Sequence, residues 1–234
     1  MKKIISYFKF VKESISRRGL WFSIKLIFWE LSFDRIYGLE TLSIVEVDEL
    51  QISIEESTHA KIYQASNYFL LLHALNSLEK CGFQFKEKTI VDIGSGKGRV
   101  LILFAEKGVK GCIGIEISSV LNEIAYKNTQ IWKKKNSTSN IEFTFETIDA
   151  SKYILPDEVD LVYLANPFDA FILSQVIDII KKSFLSKPRE IFIIYMIPIH
   201  KEFFDNSLFQ TIYSFQSDYI IYRTLEDNKN EISK

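Results

Sequence analysis

Thr89-Ile90-Val91-Asp92-Ile93-Gly94-Ser95-Gly96-Lys97-Gly98-Arg99-Val100-Leu101 is the stretch whose reading decides the fold: an apolar run that ends in an acid and opens into three alternating glycines. A strand entering a glycine turn and then a helix brings backbone N–H groups and a helix N-terminus towards a ligand, and glycine admits close approach to the main chain. Glycine spacing selects among nucleotides. A dinucleotide loop has the form G-x-G-x-x-G/A, with a third small residue where helix meets strand. Counted from Gly94 that place holds Arg99, and from Gly96 it holds Leu101, so bulk disfavours a dinucleotide. A G-x-x-x-x-G-K-[ST] phosphate loop is also absent, because Lys97 is followed by Gly98 rather than by a hydroxyl residue. What remains is G-x-G-x-G after an acid.

Downstream, apolar runs alternate with helical periods. Strands are expected at 111–117, 141–147, 160–165 and 190–196, and helices at 97–107, 120–135 and 171–184. Such alternation predicts a parallel sheet. Residues 208–215 and 219–225 are aromatic and β-branched runs separated only by Gln216-Ser217-Asp218, too close for a crossover helix, so they should close the chain as an antiparallel hairpin. Upstream, a helical period over 65–80 ends at Cys81-Gly82.

The chain of 234 residues, 47% hydrophobic with net charge −1, suits one folded domain with an appendage and argues against general nucleic-acid affinity. The positive charge is concentrated at the start, where seven cations face two acids in residues 1–32, a net of +5. There Leu20, Ile24, Ile27, Phe28 and Leu31 form one helical stripe, with Trp21, Lys25 and Trp29 beside it. Such a stripe can cover the domain, a second subunit or an anionic membrane surface. Residues 33–57 are acidic and read as a connector with one short strand near 42–47, which sets the divisions 1–57 (basic helical extension and connector), 58–227 (main domain) and 228–234 (polar tail). Lys133-Lys134-Lys135 beside Trp132 reads as the solvated, dipole-favoured end of a helix. Cys81 and Cys112 have no motif around them, which fits a reducing compartment, with the cytoplasm as default, and no apolar run reaches membrane-spanning length. His59, His73 and His200 show no ligand spacing with the cysteines, so no metal is expected.

Over roughly residues 60–225 the chain resembles the class I S-adenosylmethionine-dependent methyltransferases. The first motif, Val91-Asp92-Ile93-Gly94-Ser95-Gly96-Lys97-Gly98, looks like the family's loop beneath the methionine part of the cofactor. Glu116, followed by Ile117, lies 18 residues past Gly98, where the family places the acid that holds the ribose hydroxyls. Asp149-Ala150 matches the position beside the adenine, and Asn166-Pro167-Phe168 the segment at the transferred methyl. The resemblance implies a Rossmann-like α/β fold, with a seven-stranded, mostly parallel sheet, helices on both faces and a terminal antiparallel hairpin behind an N-terminal helical extension. It implies S-adenosylmethionine as cofactor.

Asn166-Pro167-Phe168 also resembles, one proline shorter, the Asn-Pro-Pro-aromatic motif of enzymes that methylate amino or amide nitrogens, and a compact group of bacterial methyltransferases shares the overall look of Phe33-Asp34, the Gly96-Lys97-Gly98-Arg99 loop and Asn166-Pro167-Phe168. This implies methyl transfer to a nitrogen of a protein or small molecule, with Asn166, Pro167 and Phe168 at the reaction. Tyr63 stands where several family members carry a tyrosine that closes over the methionine end. A binding module without catalysis, recruiting a membrane or protein partner through its basic helix, is the alternative reading. An oxidoreductase is a formal rival against which Arg99 weighs.

Overall fold

The computed structural model describes residues 15–16, 19–43, 45–53, 63–137, 139–166, 168–205 and 208–225. A helix, α1 (Leu20–Tyr37), precedes an alternating domain: α2 (Tyr68–Lys80), β1 (Thr89–Ile93), α3 (Arg99–Glu106), β2 (Gly111–Glu116), α4 (Ser119–Lys135), β3 (Glu142–Thr147), β4 (Val159–Leu164), α5 (Ala170–Ser186), β5 (Phe192–Met196), β6 (Phe209–Phe215) and β7 (Tyr219–Thr224). The seven strands lie in the order β3-β2-β1-β4-β5-β7-β6, with β7 antiparallel to both its neighbours and the rest parallel. The terminal hairpin is therefore part of the sheet, and β7 rather than β6 pairs with β5.

The central strands are apolar along their length because both faces are covered. Ile90, Leu161, Tyr163 and Ile194 bury one face against α2 and α3, while Val91, Ile93, Val162, Leu164 and Ile193 bury the other against α5. Three helices, α2, α4 and α5, begin on side-chain caps: Asn67, Ser118 and Asp169 accept from the N–H of Leu70, Leu121 and Ile172. Gly114, at the centre of β2, is required by space. A Cβ there would lie 2.8 Å from Ser95 Oγ, 2.9 Å from Leu101 Cδ1 and 3.1 Å from Phe145. Gly114→Ala should therefore cost about 1–3 kcal/mol through overpacking, read as a melting temperature lower by about 2–4 °C per kcal/mol.

Two expectations differ from what is found. Among the described residues of 42–47 there is no strand; the backbone makes one isolated antiparallel bridge, Val45 to Tyr63, beside a short 3₁₀ turn, Val47–Glu49. The connector is held by side chains instead of a ladder. The stripe read on the first helix is also not the docked one: Phe22 and Trp29 pack on the core and Phe33 is buried in it, whereas Leu20, Ile24 and Phe28 face outward. The side chains of Ile27 and Leu31 lie outside the described ones, as do residues 1–14, 17–18 and 226–234.

Candidate functional site

Ile93 at the end of β1 is level with Ile115 of β2 and Leu164 of β4, so the glycine turn, Glu116 and Asn166 emerge from the same, carboxyl edge of the sheet. Thr147 of β3 is level with Glu116, which brings Asp149 to that edge as well. The sheet's order reverses here, β1 lying between β2 and β4, and open α/β sheets bind ligands at such a point.

Gly94, Gly96 and Gly98 all take positive φ (87°, 52° and 79°), a backbone that a side chain would strain. The turn's N–H groups are directed inward. Those of Gly94 and Ser95 donate to the Ile115 carbonyl (2.8 and 3.0 Å), that of Gly98 to the Ser95 carbonyl (2.9 Å), and that of Gly96 to Glu116 Oε2 (2.9 Å). The other Glu116 oxygen accepts from the Ser118 N–H (3.0 Å). Burial raises the Glu116 pKa, while N–H donors from Ser118, Gly96 and Ile117 oppose the rise. Asp92 is 1% exposed, and its Oδ2 has no hydrogen-bond partner among the described residues. Burial first, and the Glu116 charge second, push its carboxyl well above the usual range. A buried carboxylate oxygen without a donor is costly unless a ligand supplies one. The edge therefore offers acceptors, and the N–H groups of Gly94, Ser95, Gly96 and Gly98, which could otherwise face an anion, are already used.

The loop's two cations are directed elsewhere. Lys97 and Arg99 are 1% and 2% exposed, and both hold the connector. Lys97 Nζ bonds Ser43 Oγ and lies 3.3 Å from Glu40 Oε1. Arg99 Nε donates to Thr41 Oγ1 (2.7 Å), and an NH1 hydrogen goes to the Ser66 carbonyl (3.1 Å). Thr41 Oγ1 in turn donates to Asp34, whose other oxygen accepts from the N–H groups of Thr41 and Leu42 (2.7 and 2.9 Å). Asn128 ties the Glu40 and Lys97 carbonyls together (3.2 and 3.0 Å), and Ser118 Oγ donates to the Leu50 carbonyl (2.7 Å). Tyr63 closes this strap. Its hydroxyl donates to the Thr41 carbonyl (2.9 Å), and its ring lies over Gly96 so closely that an added Cβ would sit 2.2 Å from it. Burial raises its phenol pKa.

The remaining residues singled out in the sequence fall as follows. Ser95 Oγ is buried towards Gly114 and without a described partner, so it lies under the turn. Asp149 caps a 3₁₀ turn, Ala150–Lys152, accepting at Oδ1 from the Ser151 N–H and hydroxyl (2.9 and 2.8 Å), which leaves Oδ2 facing Lys152 at 3.6 Å. Ala150 is buried and Ile117 is half-buried. Asn166 has φ 50°, a left-handed conformation that asparagine tolerates. Phe168 is half-buried against the α5 core, and Pro167 lies outside the described residues. Leu164 is level with Tyr195, so Asn166 and Ile197 leave adjacent strands together, and Ile197 also has φ 50° while 55% exposed. A β-branched residue in that conformation is strained, and such strain gathers at functional edges. Asp34, Thr41, Lys97 and Ile197 were not singled out as site residues. Only Gly38, which caps α1 in the left-handed conformation, marks in sequence where the strap begins. Among the described residues no cluster of three or more His, Cys, Asp or Glu could hold a metal.

The sequence profile of a family described as a methyltransferase domain matches residues 58–191. Among solved structures, a putative methylase from Haemophilus influenzae is 16% identical with a TM-score of 0.51, over 67% of this chain and 99% of its own. Magnesium protoporphyrin IX methyltransferase from Synechocystis PCC 6803, solved with bound S-adenosylmethionine, is 16% identical with a TM-score of 0.47, over 66% of this chain and 77% of its own. The bifunctional kinase-methyltransferase WbdD is 14% identical with a TM-score of 0.47; 68% of this chain is covered, but this chain spans only 40% of WbdD. At such identities the likeness is one of fold. No curated protein matches the sequence.

Proposed function

This chain belongs to the methyltransferase-domain family matched over residues 58–191, and from that premise we propose that it transfers the methyl group of S-adenosylmethionine to a nitrogen of a protein or small-molecule acceptor. S-adenosylmethionine is the cofactor, and when bound it supplies an electrophilic methyl on a sulfonium. The observation that carries the reading is the inward use of the glycine turn's N–H groups beside Asp92 Oδ2, which has no hydrogen-bond partner among the described residues. That edge suits a ligand without phosphate that brings hydroxyl and cationic donors.

Glu116, which already accepts from the N–H groups of Gly96 and Ser118, also accepts from a vicinal diol; ionised acceptors make the stronger bonds. Asp92 receives an ammonium or hydroxyl donor. Tyr63 and the strap exclude water from the turn, and Asp149 and Ala150 border the adenine side. Asn166, with Pro167 and Phe168, holds the acceptor. Its side-chain oxygen accepts a hydrogen of the target nitrogen, which keeps the nitrogen lone pair aimed at the methyl; orientation of this kind supplies much of the barrier lowering.

Isothermal titration with S-adenosylmethionine tests the cofactor, and absence of binding would overturn the reading. Transfer of tritiated methyl to fractionated lysate tests the reaction and sorts the acceptor into protein, nucleic acid or small molecule. Asn166→Ala should lower turnover about a hundredfold through lost orientation, with cofactor affinity kept. Tight binding with no label in any fraction would instead support the binding-module alternative.

A further inference from the structure

The first helix is apolar on every side, and the domain covers only part of it. Phe22, Ser23, Trp29 and Phe33 meet α2 and the core, with Phe22 edge-on to Phe69 at 4.9 Å and Trp29 tilted on Tyr68 at 5.7 Å. Turning by about 100° per residue, Leu20, Ile24, Phe28 and Trp21 fall on the opposite side, where they are 54%, 46%, 62% and 78% exposed. By the same rotation the exposed Lys25 stands at the margin of this face and the exposed Arg35 within it, about two turns beyond Phe28. A helix apolar all round belongs in a buried setting, so the outer face requires a cover.

Charge identifies the cover. Residues 1–32 carry +5 while the rest of the chain carries −6, so the charge is segregated onto the segment that bears the apolar face. A second copy docked face to face would bring two +5 segments together without an acid counterpart. An anionic bilayer complements both features: aromatic and aliphatic side chains enter the acyl boundary, and lysines and arginines reach the headgroups. The acidic body gains nothing from approaching such a surface, which leaves the helix as the contact. We propose that the outer face of α1 (Leu20, Trp21, Ile24 and Phe28), together with the basic sequence of residues 1–32, docks the protein on an anionic membrane surface. This holds independently of the reaction at the sheet edge.

The test is co-sedimentation of the full chain with phosphatidylcholine vesicles, with and without about 30% phosphatidylglycerol, chosen because anionic lipid sets the surface potential. Binding should need the anionic lipid and should fall as salt is raised from about 0.1 M to about 1 M, where screening shortens from about 10 to about 3 Å. Trp21→Ala combined with Phe28→Ala should lower the partition coefficient roughly tenfold or more, while the melting temperature and S-adenosylmethionine affinity stay at their wild-type values because both side chains are exposed. No binding to either vesicle, or equal binding to both, would overturn the proposal. So would a dimer in equilibrium sedimentation that the same double substitution dissociates, since a second copy would then be the cover.

Discussion

Replacing Arg99 by alanine is expected to lower stability by about 3–5 kcal/mol, the range for removing one partner of a buried charge network. The guanidinium is 2% exposed and serves four groups from distant parts of the chain. It donates to Thr41 Oγ1 in the connector and to the Ser66 carbonyl at the entry to α2, lies 3.6 Å from Asp34 Oδ1, and rests on the Phe33 ring at 4.9 Å. Its loss would take the cation from Asp34 and a donor from Thr41 Oγ1 and the Ser66 carbonyl, and open a cavity between α1, α2 and α3. Lysine should not rescue it, because a point charge cannot serve this planar fork and ring together. Urea denaturation checks the loss. A double-substitution cycle of Arg99→Met with Asp34→Asn should show a coupling of about 1–3 kcal/mol if the two act as one network. Additive effects would mean that the strap is merely apposed to α3. Cofactor affinity should fall in Arg99→Ala as well, since the strap carries Tyr63 over Gly96.

The elements legible in the sequence are those whose cause is local. The strands and helices from α2 to α5 fall within a few residues of their expected positions, because hydrophobic period and turn chemistry are local and α2, α4 and α5 carry a side-chain cap as well. The order β5-β7-β6 is not local, and only the short Gln216-Ser217-Asp218 link pointed to the hairpin. At the site, Asp92, the glycines and Glu116 could be read because their spacing along two adjacent strands encodes their meeting. Lys97 and Arg99 could not. Arg99 was legible only as bulk that disfavours a dinucleotide, whereas its partners Asp34 and Thr41 lie 65 and 58 residues upstream in a segment without periodicity. The acidity of that connector, which reads as a solvated boundary, is in part the counter-charge of the loop: Asp34 and Glu40 meet Arg99 and Lys97. On α1, period alone could not choose the docked side, since apolar residues occur all round it.

Glu116→Ala should weaken S-adenosylmethionine binding at least about a hundredfold, or roughly 3 kcal/mol, combining a lost charge-assisted contact with a released turn. The second component follows from its two bonds, because removing the carboxylate leaves the N–H groups of Gly96 and Ser118 without an acceptor in a buried place. Glutamine restores one acceptor but turns an amide towards the other N–H, so Glu116→Gln should lie between alanine and wild type. The pH dependence separates the charge from the geometry. Only the ionised carboxyl accepts from all its donors, and burial raises the Glu116 and Asp92 pKa values above those of ordinary carboxylates. Affinity should therefore be complete above the raised values and decline as pH falls through them, starting at a higher pH than an exposed carboxylate would set. Stability of the free protein should run the other way. Between the ordinary and the raised values the folded chain binds more protons than the unfolded one, so this contribution to stability is full below the ordinary pKa and is lost as pH rises through the raised one. In Glu116→Gln only the Asp92 part of both trends should persist. Titrations of affinity and of denaturation midpoint across that window check this, and an affinity that falls only below pH about 4, where exposed carboxylates titrate, would contradict the buried carboxylate pair.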